Sequence, residues 1–116
     1  MNKKYYIDDS KIHGKGVMAA KNLSKDEIVD LGIGFNTFSL PYVTPEFGSF
    51  INHSYTPTTY LWYYDGIDNI NKTDQHDIKD SGWYVRAIRN LKPGQEITLN
   101  YNNTPWYIEK ALPHYV

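Results

Sequence analysis

Short apolar stretches alternate with polar stretches punctuated by Gly, Pro, Asn and Asp, and no helical apolar period persists along the chain. The pattern predicts strands. The strongest covers residues 58–64, Thr-Thr-Tyr-Leu-Trp-Tyr-Tyr, where β-branched and aromatic side chains dominate. Residues 96–101 alternate apolar and polar from Glu96 to Tyr101, and residues 4–8, 28–33 and 82–89 read as further strands. In residues 10–20, Gly14 and Gly16 precede Val17, Met18, Ala19 and Ala20, a turn feeding a strand. Turns are expected at residues 22–27 and at 90–95, around Pro93-Gly94. Residues 34–47, with Pro41, Pro45 and scattered aromatics, read as a loop with one helical turn. The tail from Asn102 reads as a short helix starting at Pro105. The expected architecture is a mainly β protein, one domain over residues 1–116, with no internal repeat.

The densest chemistry lies in residues 48–57. Phe50 and Ile51 can anchor the segment in a core, and Asn52, His53 and Ser54 then offer an amide, an imidazole and a hydroxyl in a row. If they are buried, another segment or a ligand must pair with them. The Gly14-Lys15-Gly16 turn is not a dinucleotide fingerprint, since no third glycine or helical pattern follows; alone it is an ordinary hairpin turn.

Composition narrows the classes. The 116 residues suffice for one modest core. With 12 basic and 13 acidic residues the net charge is -1, so no general attraction to nucleic acid or an anionic membrane is expected. Cysteine is absent, which excludes a disulfide framework, a thiolate zinc site and a cysteine nucleophile. His13, His76 and His114 lack the spacing of metal ligands, so no metal is expected. No apolar run follows the N-terminal lysines, so an intracellular protein without a secretion signal or membrane span is expected. The 11 tyrosines are either strand packing or the wall of an aromatic binding channel. So many aromatics over one thin core are also compatible with a homodimer. Residues 65–81 hold five aspartates against two lysines and read as a solvated hairpin loop, with an acidic lip for a basic substrate as the functional alternative.

Three separated pieces, in order, resemble the SET domain family. Residues 13–20, His-Gly-Lys-Gly-Val-Met-Ala-Ala, continuing through Leu23, Lys25 and Glu27-Ile28-Val29, resemble its opening. Residues 50–57, Phe-Ile-Asn-His-Ser-Tyr-Thr-Pro, resemble its Asn-His-Ser segment, and residues 85–101 resemble its closing signature. The family comprises S-adenosylmethionine-dependent protein lysine methyltransferases. The resemblance implies a β-clip type fold of several small sheets with a knot-like C-terminal threading beside the Asn-His-Ser strand. It also implies transfer of a methyl group to a lysine of a protein or peptide substrate, a histone or another protein.

Carried over by position, Gly14, Lys15 and Gly16 match the loop whose backbone cradles S-adenosylmethionine. Asn52 and His53 match the pair that binds its amino-acid and adenosine parts. Tyr101 matches the tyrosine beside the methyl-transfer centre, and Trp106 falls where members lay an aromatic against the adenine. Each residue also has an ordinary role: Asn52 capping a turn, His53 tying strands together, Tyr101 closing a strand, Trp106 packing the tail. Thr58 stands where many members have asparagine, and the segment before Gly48 is shorter than the family's groove-shaping insert. No cysteine cluster supplies a zinc-bound lid, which leaves the tail aromatics to close the lysine channel. The small size fits a compact viral or bacterial version. The alternative is a non-catalytic SET-fold module that binds a peptide or partner.

Overall fold

A computed structural model describes residues 3–65 and 80–105. Within them the chain forms β1 (Tyr5–Asp9), β2 (Lys15–Ala19), β3 (Ile28–Phe35), β4 (Pro41–Val43), a 3-10 turn (Gly48–Phe50), β5 (Asn52–His53), β6 (Thr59–Tyr64), β7 (Gly82–Ala87), β8 (Glu96–Leu99) and a second 3-10 turn (Tyr101–Asn103). Most of the expected helix in the tail and most of the acidic loop lie outside the described residues. Among the described residues no helix is long and apolar enough to cross a membrane.

The strands form two four-stranded sheets, ordered β1-β2-β8-β5 and β4-β3-β7-β6. In the first, β1 and β2 make an antiparallel hairpin with Tyr5 opposite Ala19 and Asp9 opposite Lys15. Its turn is closed by Ser10 N–H donating to Gly14 O at 2.8 Å, and Gly14 takes a φ of 48°, a conformation that favours glycine. β8 pairs antiparallel with β2 and parallel with β5, placing Asn52 beside Thr98 and His53 beside Leu99. In the second sheet, β6 and β7 pair from Thr59 opposite Ala87 to Tyr64 opposite Gly82. A two-way bridge between Leu23 and Leu91 ties the turns that follow β2 and β7.

Val17, Leu23, Phe47, Val85, Leu91 and Ile97 are at most 1 % exposed and form the centre of the core. The Phe47 ring packs 4.5 Å from that of Tyr5. Burial in β8 departs from the alternation of its sequence, because Thr98 is buried together with Ile97 and Leu99. Thr58 satisfies it: Thr98 N–H donates to Thr58 Oγ1 at 2.9 Å and Thr58 N–H donates to Thr98 Oγ1 at 3.0 Å. The strand ends at Leu99, two residues earlier than the pattern predicts, because Asn100 accepts a bond from Asn102 N–H and starts the second 3-10 turn.

Residues 34–47, expected as a loop with one helical turn, contain β4 instead, paired with β3 through Ile33–Val43, Gly34–Tyr42 and Phe35–Pro41. Asn36 Oδ1 accepts from the N–H groups of Phe38 and Leu40 and shapes the connecting turn. Pro41 concealed the strand in the sequence, yet at an edge it removes no needed ladder donor. The helical turn falls just beyond, at Gly48–Phe50.

Thr44, 4 % exposed, joins that turn to β3. Its Oγ1 donates to Leu31 O at 2.8 Å and accepts from Gly48 N–H at 2.8 Å, while its own N–H donates to Gly32 O at 3.0 Å. A side chain at Gly48 would overlap Gly32 O, so the turn sits directly on the β3 backbone. Thr44→Val keeps the shape but leaves the Gly48 N–H without its acceptor. It should destabilise the fold by about 1–3 kcal/mol in urea denaturation, whereas Thr44→Ser should retain most of the stability.

Candidate functional site

The β5–β8 pair brings Asn52 and His53 next to the chain that leads out of β8 to Tyr101. His53 is buried, and its Nδ1 accepts from Tyr101 N–H at 3.0 Å. Nδ1 therefore carries no proton, and the neutral ring bears its hydrogen on Nε2. Burial pushes the His53 pKa below its ordinary 6.5, in agreement with a neutral ring. The imidazole lies between the rings of Tyr55, at 4.3 Å edge-on, and Tyr101, at 5.1 Å. The Tyr101 hydroxyl donates to Ile51 O at 2.6 Å. Tyr101 is thus fastened to His53 at its backbone and, at its phenol, to Ile51, the residue before the Asn52–His53 strand.

Asn52 reaches the other way, to the β1–β2 turn. Its Nδ2 lies 3.0 Å from His13 O, 3.2 Å from Lys15 O and 3.0 Å from Glu96 Oε2. Three acceptors around one nitrogen settle the orientation of the amide and leave Oδ1 as the acceptor it can offer a ligand. The two glycines are required for different reasons. Gly14 has open space where a Cβ would stand and is favoured by its φ of 48°. At Gly16 a Cβ would lie 2.5 Å from Glu96 Oε2 and 2.9 Å from Ser10 Cβ, so the missing side chain makes room for the chain's own residues. The Lys15 ammonium pairs with Asp9 at 2.6 Å on the surface, and its backbone carbonyl is the part that meets Asn52. The bond from Lys15 holds the Asp9 carboxyl below the usual carboxylate range. Trp106 lies outside the described residues.

Beside Tyr101 opens a cavity of about 310 Å³, lined chiefly by Ile33, Val43, Ile51, Leu61, Leu99 and Tyr101. The site thus brings together Gly14, Lys15, Gly16, Asn52, His53 and, through His53, Tyr101. Sequence reasoning gave no site role to Ser10, Glu96 or Leu61 and read Ile51 only as a core anchor. The signal for Glu96 was a carboxylate opening a strand that is otherwise buried. The Ile51 carbonyl and the apolar wall leave no mark that a single sequence can show. The site fits a ligand that presents N–H donors to Asn52 Oδ1 and approaches the open backbone at Gly14. Among the described residues no group of three or more His, Asp or Glu is placed to hold a metal ion.

His53 also gives a pH dependence of stability. Its folded pKa is depressed, so as pH falls below about 6.5 the unfolded chain binds a proton that the folded one resists. Stability is full above that value and declines below it, by at most about 1.4 kcal/mol per pH unit for this single group. Between about pH 7.5 and about pH 5, wild type should lose more stability in urea denaturation than His53→Asn, which keeps an acceptor for Tyr101 N–H but does not titrate.

The sequence model of the SET domain family matches residues 30–102, which include Asn52, His53 and Tyr101 but not Gly14–Gly16. No curated protein matches the chain in sequence. Among solved structures, a candidate histone methyltransferase of Plasmodium falciparum superposes with a TM-score of 0.63. It is 20% identical, and the match covers 91% of this chain and 99% of that one, a likeness of fold. The family match takes in well over half of the chain and all of the strands from β4 to β8, and the protein belongs to the SET domain family.

Proposed function

We propose that the protein is an S-adenosylmethionine-dependent lysine N-methyltransferase acting on a protein or peptide. One observation carries the reading: Tyr101, bonded to His53 at its backbone and to Ile51 O at its phenol, borders an apolar cavity while the oriented Asn52 amide lies between those two residues in the chain. When bound, S-adenosylmethionine supplies a methyl group on sulfonium sulfur, and displacement by a lysine amine yields methyl-lysine, S-adenosylhomocysteine and one proton.

The chain's residues hold and orient. Asn52 Oδ1 and the backbone of Gly14, Lys15, Gly16 and His53 bind the cofactor, with Trp106 as the residue proposed for the adenine. The walls built by Ile33, Val43, Leu61 and Leu99 exclude water. In free solution lysine is protonated, with a pKa of about 10.4. An apolar wall disfavours the ammonium and yields the neutral nucleophile. The Tyr101 hydroxyl donates its proton to Ile51 O, so its oxygen serves as an acceptor that aims an amine N–H. Alignment of this kind can lower a barrier by as much as about 7–11 kcal/mol. The cavity suits a lysine stem with one polar tip. A histone or another lysine-bearing protein is the substrate class.

Calorimetric titration of S-adenosylmethionine should show binding to wild type and its loss in Asn52→Ala. Methyl transfer to lysine-containing protein should follow. Tyr101→Phe should lower turnover by about tenfold or more while cofactor affinity stays within about twofold. Cofactor binding without any turnover would point to the non-catalytic peptide-binding module, and unchanged turnover in Tyr101→Phe would remove the role given to that hydroxyl.

A further inference from the structure

Glu96 opens β8 half-buried, and no lysine or arginine pairs with its carboxylate among the described residues. Its bonds come from neutral donors. Ser10 Oγ lies 2.8 Å from both carboxylate oxygens, and Asn52 Nδ2 donates to Oε2 at 3.0 Å. Ser10 Oγ in turn accepts from Ile12 N–H at 2.9 Å and His13 N–H at 3.4 Å. Asn52 Nδ2 also reaches His13 O and Lys15 O.

This network has a direction. An ionised carboxylate can only accept hydrogen bonds, whereas a serine hydroxyl or an asparagine amide can do both. Glu96 therefore commits the Ser10 proton and leaves Ser10 Oγ as the acceptor for the turn. It likewise commits the Asn52 NH₂ and leaves Oδ1 on the opposite side of the amide. The carboxylate also occupies the volume that a side chain at position 16 would need, with a Cβ falling 2.5 Å from Oε2. The direction of the amide traces to one side chain on β8, and the glycine at position 16 to that side chain together with Ser10 Cβ, which lies 2.9 Å from the same point.

We propose that Glu96 is the positioning residue of the cofactor site: its carboxylate orders the Ser10–Asn52 network, presents Asn52 Oδ1 to the ligand, and holds the residue 10–16 turn against β5 and β8. The inference rests on the proposed function for the identity of the ligand. Its structural part can be read without one.

Glu96→Gln is nearly isosteric but can donate where the carboxylate only accepts, so it erases the order without leaving a cavity. In the ligand-free protein, the side-chain ¹⁵N amide signals of Asn52 should shift and lose their protection from hydrogen exchange in Glu96→Gln. Affinity for S-adenosylmethionine should fall by roughly fivefold or more, and Glu96→Asp should recover part of it. Gly16→Ala should lower the melting temperature in wild type and lower it less in a Glu96→Ala background, where only the contact with Ser10 Cβ remains, a non-additivity expected of groups in contact. Unchanged Asn52 signals, an affinity within about twofold of wild type in Glu96→Gln, or additive effects of Gly16→Ala and Glu96→Ala would each overturn the proposal. If wild type itself binds no S-adenosylmethionine while the amide signals and the coupling behave as described, the positioning role stands and the assigned function fails.

Discussion

The two-residue parallel ladder between β5 and β8 is the constraint on which the site depends. Parallel neighbours cannot be joined by a tight turn, so the chain must leave β5, travel elsewhere and return in the same direction. Here the excursion contains β6, β7 and the bridge from Leu91 to Leu23, and half of the second sheet is built along it. The return sets Tyr101 against His53 although 48 residues separate them. A part-buried hydrogen bond from Tyr101 N–H to a neutral imidazole, together with the Asn100–Asn102 bond, then fixes where the chain turns out of β8.

Placing β8 between β2 and β5 has a consequence for its polar groups. A buried strand carrying threonine must find partners for the hydroxyl, because an unsatisfied buried polar group is destabilising. Thr58 N–H donates to the Thr98 hydroxyl, and the backbone around it is met as well: the Thr58 hydroxyl bonds Glu96 O and Thr98 N–H, and the Thr59 hydroxyl donates to Thr98 O. Thr58, where many SET members carry asparagine, is therefore part of the stitching between β6 and β8. The side of β8 toward the β1–β2 turn is handled by Glu96, Ser10 and Asn52. One strand thus organises the β1–β2 turn and the aromatic that borders the cavity.

Much of this was legible in the sequence. The alternation at residues 96–101, the β-rich run at 58–64 and the Gly14–Gly16 turn located strands and connections to within a residue or two, because local side-chain pattern governs whether a segment can be extended. The three motifs, read together, pointed to the family before any pairing was known. What they carried about the site was a set of residue types, with Asn52, His53 and Tyr101 named in their places. The loop expected over residues 34–47 shows where local reading stopped: β4 exists because β3 offers it an edge and Asn36 folds the turn, while prolines and exposed aromatics hide it.

The sequence by itself determined the strand-rich class, the motif positions and the absence of thiol chemistry, because these follow from residue identity and local periodicity. The tertiary structure decided which face of β8 is covered, that a cavity opens beside Tyr101, which tautomer His53 adopts and which way the Asn52 amide points. It also decided why position 16 is glycine, which is the Glu96 carboxylate and Ser10 Cβ beside it rather than any demand of the local backbone. Those outcomes depend on atoms that come from segments far apart in the chain. Only when β5 and β8 lie side by side do a backbone carbonyl, a carboxylate and an imidazole meet the groups they orient.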